Sequence, residues 1–125
     1  SAGVRRLDAL NQWIKAIDSV AAYADAESAE AEFHSKIAAN RRDFDARFAL
    51  ARLRMAQQRW TDAMDELLEI LMRDKAWSSD QARKTYVAIL DLIEPPKPKV
   101  ADGQIPPEDP TVVTYRRRLS SVVLS

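Results

Sequence analysis

Hydrophobic residues recur every three or four positions along most of this chain, which is the spacing of amphipathic helices. The first such run places Val4, Leu7, Leu10, Ile14 and Ile17 on one helix at about residues 4–23. Similar runs predict helices at about residues 26–40, 46–57, 80–93 and 110–124, and a further helix between an N-cap at Thr61 and a turn at Asp74. The chain has only two Gly and is rich in Ala, Leu, Arg and Glu, so its composition also favours helix over sheet.

Polar residues between these runs supply helix caps. Asp25 can cap the second helix, and Asp43 or Asp45 the third, because their carboxylates accept hydrogen bonds from unpaired backbone N–H groups. The candidate caps of the fifth helix are Ser78, Ser79 and Asp80. The dipeptide Asp109-Pro110 is typical of an N-cap followed by the first helical position, where proline is tolerated. All six prolines lie between Glu94 and Pro110, so the chain from Pro95 to Pro107 is predicted to be a loop.

A faint internal repeat has a spacing of 34 residues: Ala29 recurs as Ala63, Phe33 as Leu67, and Ile37 as Leu71. That period is the one expected of tetratricopeptide repeats, which are antiparallel helix pairs that stack on one another. We therefore predict an all-α, tetratricopeptide-like α-helical solenoid with about six helices in three antiparallel pairs. The predicted organisation is a single domain at 1–125, with a degenerate repeat at 4–40, the best repeat at 41–77, and an atypical C-terminal pair at 78–125 that holds a Pro-rich loop at 94–108.

Composition and charge argue against several functions. Nineteen basic and nineteen acidic residues give a formal net charge of zero, so no global field favours nucleic acid or an anionic membrane. The chain has no Cys and a single histidine, His34, which leaves no thiolate nucleophile and no usual imidazole metal site. No nucleophile–base pair and no phosphate-binding Gly loop is present. We expect no cofactor, no metal and no enzymatic activity.

Two arginine-rich stretches are open to more than one interpretation. Six arginines lie between Arg41 and Arg59, immediately before an acidic helix. They either pair within the molecule or form a basic stripe on the inner surface of the repeat stack. In the last helix, the three arginines of Tyr115-Arg116-Arg117-Arg118-Leu119 span most of the helix circumference. They either solvate a packed helix or contact a partner, and the apolar tail Val122-Val123-Leu124 is either packed or exposed for a partner.

Several segments resemble the C-terminal tetratricopeptide domain of bacterial thioredoxin-like co-chaperones, the chaperedoxin family. The resemblance covers about residues 40–125 and is strongest in the block Tyr115 to Leu119, which follows a helix opening with Gln81-Ala82-Arg83-Lys84. The other segments that carry it are Asp43 to Ala51, Trp60 to Ala63, Glu66 to Ile70, Arg73 to Trp77 and Asp109-Pro110. Two departures are Gln58, where such repeats usually have Gly before the second helix, and the long loop from Pro95 to Pro107.

The resemblance implies a cytoplasmic holdase that binds unfolding client proteins and passes them to folding chaperones, including the chaperonin. It also implies an N-terminal thioredoxin domain as a partner, outside this chain. Chaperonin docking would fall on the last helix, through Tyr115, Arg116, Arg117, Arg118, Leu119, Val122 and Val123. By repeat register, Phe48, Arg52 and Met55 would line the inner surface of the stack. The alternative function is a structural scaffold or oligomerisation module for that thioredoxin domain, without client binding of its own.

Overall fold

The computed structural model describes all of residues 1–125 and contains six α-helices and no strand. The helices are α1 (Ala2–Val20), α2 (Ala26–Ala39), α3 (Phe44–Ala56), α4 (Trp60–Arg73), α5 (Trp77–Ile93) and α6 (Pro110–Val123). The all-α class and the six helices predicted from the hydrophobic spacing are therefore confirmed. Residues 94–109 connect α5 to α6 without forming a helix or a strand.

Aspartate caps begin three of the helices as the sequence predicts. The carboxylates of Asp25, Asp43 and Asp109 accept hydrogen bonds from backbone N–H groups three residues further on, at 2.7 Å, 3.0 Å and 3.1 Å. Each bond satisfies one of the N–H groups that the first helical turn leaves without a partner. Of the two candidates for α3, Asp43 is the cap and Asp45 lies within the helix.

Two predicted caps are wrong. Thr61 was predicted as the N-cap of α4, but it lies inside that helix. The N-cap is Arg59, whose side chain makes no capping hydrogen bond to the backbone. The N-cap of α5 is Ala76, again without a side-chain hydrogen bond. Residues 78–80 have left-handed backbone angles, with φ between 52° and 67°, and the right-handed part of α5 follows them.

The core lies where α3 and α4 meet, because these helices form a tight antiparallel pair and α3 is covered on nearly every side. Ala51 and Ala63, the small residues expected at the close approach of a helix pair, are both fully buried. The next layers follow the chain order, since α2 packs on α3 and α5 packs on α4. The last helix, α6, rests on α4 and α5.

The first helix takes a position that the pattern of the chain does not predict. It packs on α3 and α5 and has no extensive contact with α2, its neighbour in sequence. Ala9 and Ala16 are fully buried on its inner face, and Trp13 stacks edge-on against Trp60 with 5.2 Å between ring centroids. Small side chains on this face allow the helix backbones to approach closely. The helix therefore lies between α3 and α5 instead of forming a pair with α2.

The large aliphatic residues of α1 face outward. An amphipathic helix ordinarily turns its apolar stripe toward the core. Here the side of α1 opposite Ala9 and Ala16 carries five exposed residues, which we call the outer stripe: Val4, Leu7, Leu10, Ile14 and Ile17. Leu7 is 64% exposed and Ile14 is 54% exposed. The first helix thus has an apolar face on each side, and only the face of small residues is covered.

Candidate functional site

The candidate site is α6, the helix that carries the three consecutive arginines. Val112 and Tyr115 are buried on its inner face, and Leu119 and Val122 are partly buried against the main core. These four residues recur every three or four positions, so they form the stripe that attaches the helix. Tyr115, Leu119 and Val122 were predicted as binding residues, and the structure places all three on this inner side.

Two tyrosines fix the position of α6. The hydroxyl of Tyr115 donates a hydrogen bond of 2.8 Å to a carboxylate oxygen of Asp65 in α4. The hydroxyl of Tyr86 in α5 donates one of 2.6 Å to the backbone carbonyl of Tyr115. Burial raises the pKa of the Tyr86 phenol above its usual range, and burial together with the Asp65 hydrogen bond raises the pKa of the Tyr115 phenol. Both hydroxyls therefore remain protonated donors at neutral pH.

The three arginines differ in their surroundings. Arg118 lies over the ring of Tyr115 at 4.8 Å and pairs with Asp65 at 3.6 Å. Arg116 pairs with Glu94 at the end of α5, also at 3.6 Å. Arg117 is exposed and has no ion-pair partner within the chain. Two of the three arginines therefore have an acidic neighbour on α4 or at the end of α5, and Arg117 has none.

The apolar tail is also divided between packing and exposure. Val122 contacts the core, and Val123 is half-buried. The Lys75 ammonium donates a hydrogen bond to the carbonyl of Val123 at 3.3 Å and another to that of Ser125, which fixes the end of α6 beside the α4–α5 turn. Leu124 is 84% exposed. Since seven residues correspond to about two helical turns, Leu124 lies on the same outer side as Arg117.

The second group of predicted binding residues lies on α3, which packs against α1. Phe48 and Met55 are buried in the core, in the same cluster as Ala16 of α1. The Arg52 guanidinium lies 4.7 Å from the centre of the Phe48 ring, and burial lowers its pKa. The helix that carries these residues, α3, is packed against α1, and the Phe48 ring also lies 5.4 Å from that of Trp77. Phe48 and Met55 are buried and are therefore not accessible to a partner in this structure.

The arginines between Arg41 and Arg59 pair within the molecule at several points. The buried Arg47 guanidinium donates a hydrogen bond of 2.8 Å to Glu66 and another of 2.8 Å to the carbonyl of Arg41. The buried Arg54 donates two hydrogen bonds to Glu30 of α2, and this lowers the pKa of the Glu30 carboxyl. Intramolecular compensation, one of the two interpretations of this stretch, accounts for both buried arginines.

The chain offers no assembled metal site. No group of three or more His, Cys, Asp or Glu side chains is placed to hold a metal ion. His34 instead lies 3.4 Å from Glu30 on the surface of α2. None of the six helices combines the length and the hydrophobicity that crossing a membrane requires.

Comparison with known families identifies the architecture. A family model described as tetratricopeptide repeat matches residues 22–104. The matched region contains α2 to α5 in full and ends within the proline-rich loop, so α1 and α6 lie outside it. No curated protein and no solved structure matches the chain.

Proposed function

The chain belongs to the tetratricopeptide repeat family, whose repeats are a non-catalytic fold that mediates protein–protein interaction, and on that premise we propose that it is the interaction domain of a thioredoxin-like co-chaperone. In this role it binds unfolding client proteins weakly and docks to a folding chaperone, the chaperonin, in the cytoplasm. The resemblance of residues 40–125 to the chaperedoxin family supports the proposal. A thioredoxin domain is the expected covalent partner.

The observation that carries the docking proposal is the division of α6 into two sides. Its inner side is held by Tyr115, Val112 and the core, so the helix is a rigid support. Its outer side presents Arg117, which has no acidic partner, together with the exposed Leu124. A fixed helix with a free guanidinium beside an apolar side chain suits a partner surface that offers a carboxylate next to an apolar contact. We assign docking to Arg117 and Leu124 and positioning to Tyr115, Leu119 and Val122.

Binding of purified chaperonin to the immobilised chain tests this assignment. We expect Arg117→Glu to weaken binding by about tenfold or more, because a charge reversal at a docking contact replaces attraction with repulsion. Arg41→Glu is the matched control, since Arg41 is also exposed and has no ion pair. Equal loss in both variants would indicate only nonspecific charge attraction, and equal retention would exclude the outer side of α6.

Removal of α6 is a poorer test than substitution. A chain ending at Pro107 lacks Val112 and Tyr115, which are buried against the core. Loss of binding by that chain would therefore mix loss of docking with exposure of apolar surface. Suppression of aggregation of an unfolded model client provides the separate test of client binding. A chain that neither slows client aggregation nor binds chaperonin would exclude the co-chaperone role for this domain.

A further inference from the structure

The loop between α5 and α6 contains two proline runs of opposite charge. Residues 95–99 read Pro-Pro-Lys-Pro-Lys and are called the basic run, and residues 106–110 read Pro-Pro-Glu-Asp-Pro and are called the acidic run. A turn at Asp102-Gly103 separates the two runs, and the left-handed φ of 81° that it contains falls on the glycine. A cavity of about 300 Å³ lies between the two runs and α6, so the basic run is not covered by the rest of the loop.

The fold already uses the acidic run. Asp109 caps α6 through the backbone N–H of Val112, Pro110 is the first residue of that helix, and Pro106 is partly buried. The basic run has no comparable role. All of its residues are exposed, its backbone makes no hydrogen bond to the rest of the chain, and neither of its lysines has an ion-pair partner.

Proline content restricts the basic run to an extended conformation. A proline fixes its own φ near about −65°, and the residue before a proline is restricted to the extended region. From Glu94 to Pro98, every residue either is a proline or precedes one. Glu94 has φ of −66° and ψ of 115°, which lies in that region, and its carboxylate pairs with Arg116 of α6 at 3.6 Å. The basic run is therefore prepared for the polyproline II helix and loses little conformational entropy on binding.

The polyproline II helix has three residues per turn, so residues three positions apart share an edge. Pro95 and Pro98 then lie on one edge of the basic run, and Pro96 and Lys99 lie on the next. Lys97 lies on the third edge. A groove that contacts the two edges with prolines therefore meets the ammonium of Lys99 and leaves that of Lys97 in solvent.

We propose that the basic run is the ligand of a partner protein whose groove is lined by aromatic side chains and carries acidic side chains where it meets Lys99. Aromatic-lined grooves recognise extended proline segments in this way, because the proline rings pack on the aromatic faces and the backbone is already ordered. The unpaired ammonium of Lys99 favours a carboxylate at the end of the groove. The acidic run offers neither feature, since it carries Glu108 and Asp109 and its last proline belongs to α6.

The expected complex is weak. The basic run is too short to bury the about 1,200–2,000 Å² of a stable interface, so we expect a dissociation constant of about 10 µM or weaker. Binding at this loop is separate from the docking proposed for the outer side of α6. Arg117→Glu should therefore leave binding through the basic run unchanged, and either proposal can fail without affecting the other.

Titration of the full chain against a panel of purified SH3 and WW domains tests the proposal, because these domains bind proline segments through aromatic-lined grooves. The panel contains domains with acidic and with neutral residues beside the groove. We expect binding to members with acidic residues, and we expect it to disappear when the groove tryptophan of the bound domain is replaced by alanine. A chain that binds no member of the panel at concentrations up to about 1 mM would overturn the proposal.

Proline substitution identifies the run that binds. Pro95→Ala, Pro98→Ala should weaken binding by about tenfold or more, because it removes both rings from one edge and restores freedom to the unbound segment. The matched control is Pro106→Ala, Pro107→Ala, which removes two prolines from the other side of the same loop and should bind as the wild type does. Pro95 and Pro98 are exposed, so their variant should retain its helical circular dichroism and melting temperature. Equal binding by the two double variants would overturn the assignment to the basic run.

Charge reversal tests the edge assignment. We expect Lys99→Glu to weaken binding by about fivefold or more and Lys97→Glu to change it by less than about twofold, although the two residues are both exposed and lie two positions apart. Equal loss in both variants would show general charge attraction and would overturn the placement of Lys99 in the groove.

Discussion

The hydroxyl of Tyr86 donates a hydrogen bond to the backbone carbonyl of Tyr115 at 2.6 Å, and this bond joins two helices separated in sequence by the whole proline-rich loop. Tyr115 in turn reaches Asp65 of α4 with its own hydroxyl. Two tyrosine hydroxyls therefore attach α6: that of Tyr86 bonds to its backbone, and that of Tyr115 bonds from α6 to the carboxylate of Asp65. The orientation of α6, the candidate docking helix, depends on these two hydrogen bonds.

Removal of the buried hydroxyl should loosen α6. We expect Tyr86→Phe to lower the free energy of unfolding by about 0.5–1.5 kcal/mol, because the buried hydrogen bond from the Tyr86 hydroxyl to the Tyr115 carbonyl is lost. Urea unfolding followed by circular dichroism measures the change. Tyr23→Phe is the matched control: the Tyr23 ring packs edge-on against Phe33, but its hydroxyl makes no hydrogen bond within the chain. A control that loses as much stability as Tyr86→Phe would show that the hydrogen bond from Tyr86 to Tyr115 is not the cause of the loss.

Stability should fall at alkaline pH. Burial raises the pKa of Tyr86 and Tyr115 above their ordinary value of 10.0, so the folded chain binds more protons than the unfolded chain once the pH exceeds that value. The stabilisation is complete below about pH 10 and is lost as the pH rises toward the folded-state pKa values. Melting temperatures recorded between about pH 8 and 11 measure this loss. The variant Tyr86→Phe, Tyr115→Phe should show a flatter decline above pH 10, and an unchanged decline would assign it to other groups.

The packing of α1 against α3 and α5 requires a small residue at position 16, which is Ala16. This side chain is fully buried in the main core cluster, so Ala16→Leu has no space to occupy. We expect a loss of about 1–3 kcal/mol in the free energy of unfolding from overpacking. Ala38→Leu adds the same side chain at an exposed position of α2 and should change stability by less than about 0.5 kcal/mol. Equal stability of Ala16→Leu and wild type would show that α1 does not pack tightly on α3.

The α3–α4 turn should accept glycine with a gain in stability. Gln58 has φ of 57°, and the N–H of Arg59 bonds to the carbonyl of Arg54, which together form a Schellman-type helix end. A left-handed conformation costs a non-glycine residue about 1–2 kcal/mol, and glycine loses part of that gain through the entropy of the unfolded chain.

We therefore expect Gln58→Gly to raise the free energy of unfolding by about 0.5–1 kcal/mol, measured by urea titration. Gln57→Gly is the matched control. Gln57 has φ of −83°, a conformation that any residue adopts, so glycine there should destabilise the chain. A gain in both variants would indicate a general effect of glycine on the loop.

Hydrophobic spacing was sufficient to predict the six helices, because within each helix hydrophobic residues recur every three or four positions and this pattern depends only on nearby residues. Aspartate caps were predictable for the same reason, since a cap interacts with N–H groups only three residues away. The caps of α4 and α5 could not be predicted from composition. Several polar residues stood near each boundary, and the backbone began those helices without using any of them.

The candidate site was predictable only in part. The chain order placed Tyr115 and the arginines on one helix, but all five residues from Tyr115 to Leu119 were assigned to binding alike. Which of them face inward depends on where α6 rests, and that depends on Asp65 and Tyr86, which are 50 and 29 residues away. The spacing of Val112, Tyr115, Leu119 and Val122 by three or four residues was a sequence signal for the inner side of α6.

The order of small and large residues along α1 fixes a helix with two apolar faces, and this much follows from the chain alone. Which face is buried follows from packing: the space between α3 and α5 admits Ala9 and Ala16 but leaves Leu7 and Ile14 outside. Local periodicity reports the direction of a side chain around its own helix axis, because it depends on a few neighbouring residues. The choice between two faces depends on the shape of a cavity built by distant helices, and that shape exists only after they have packed.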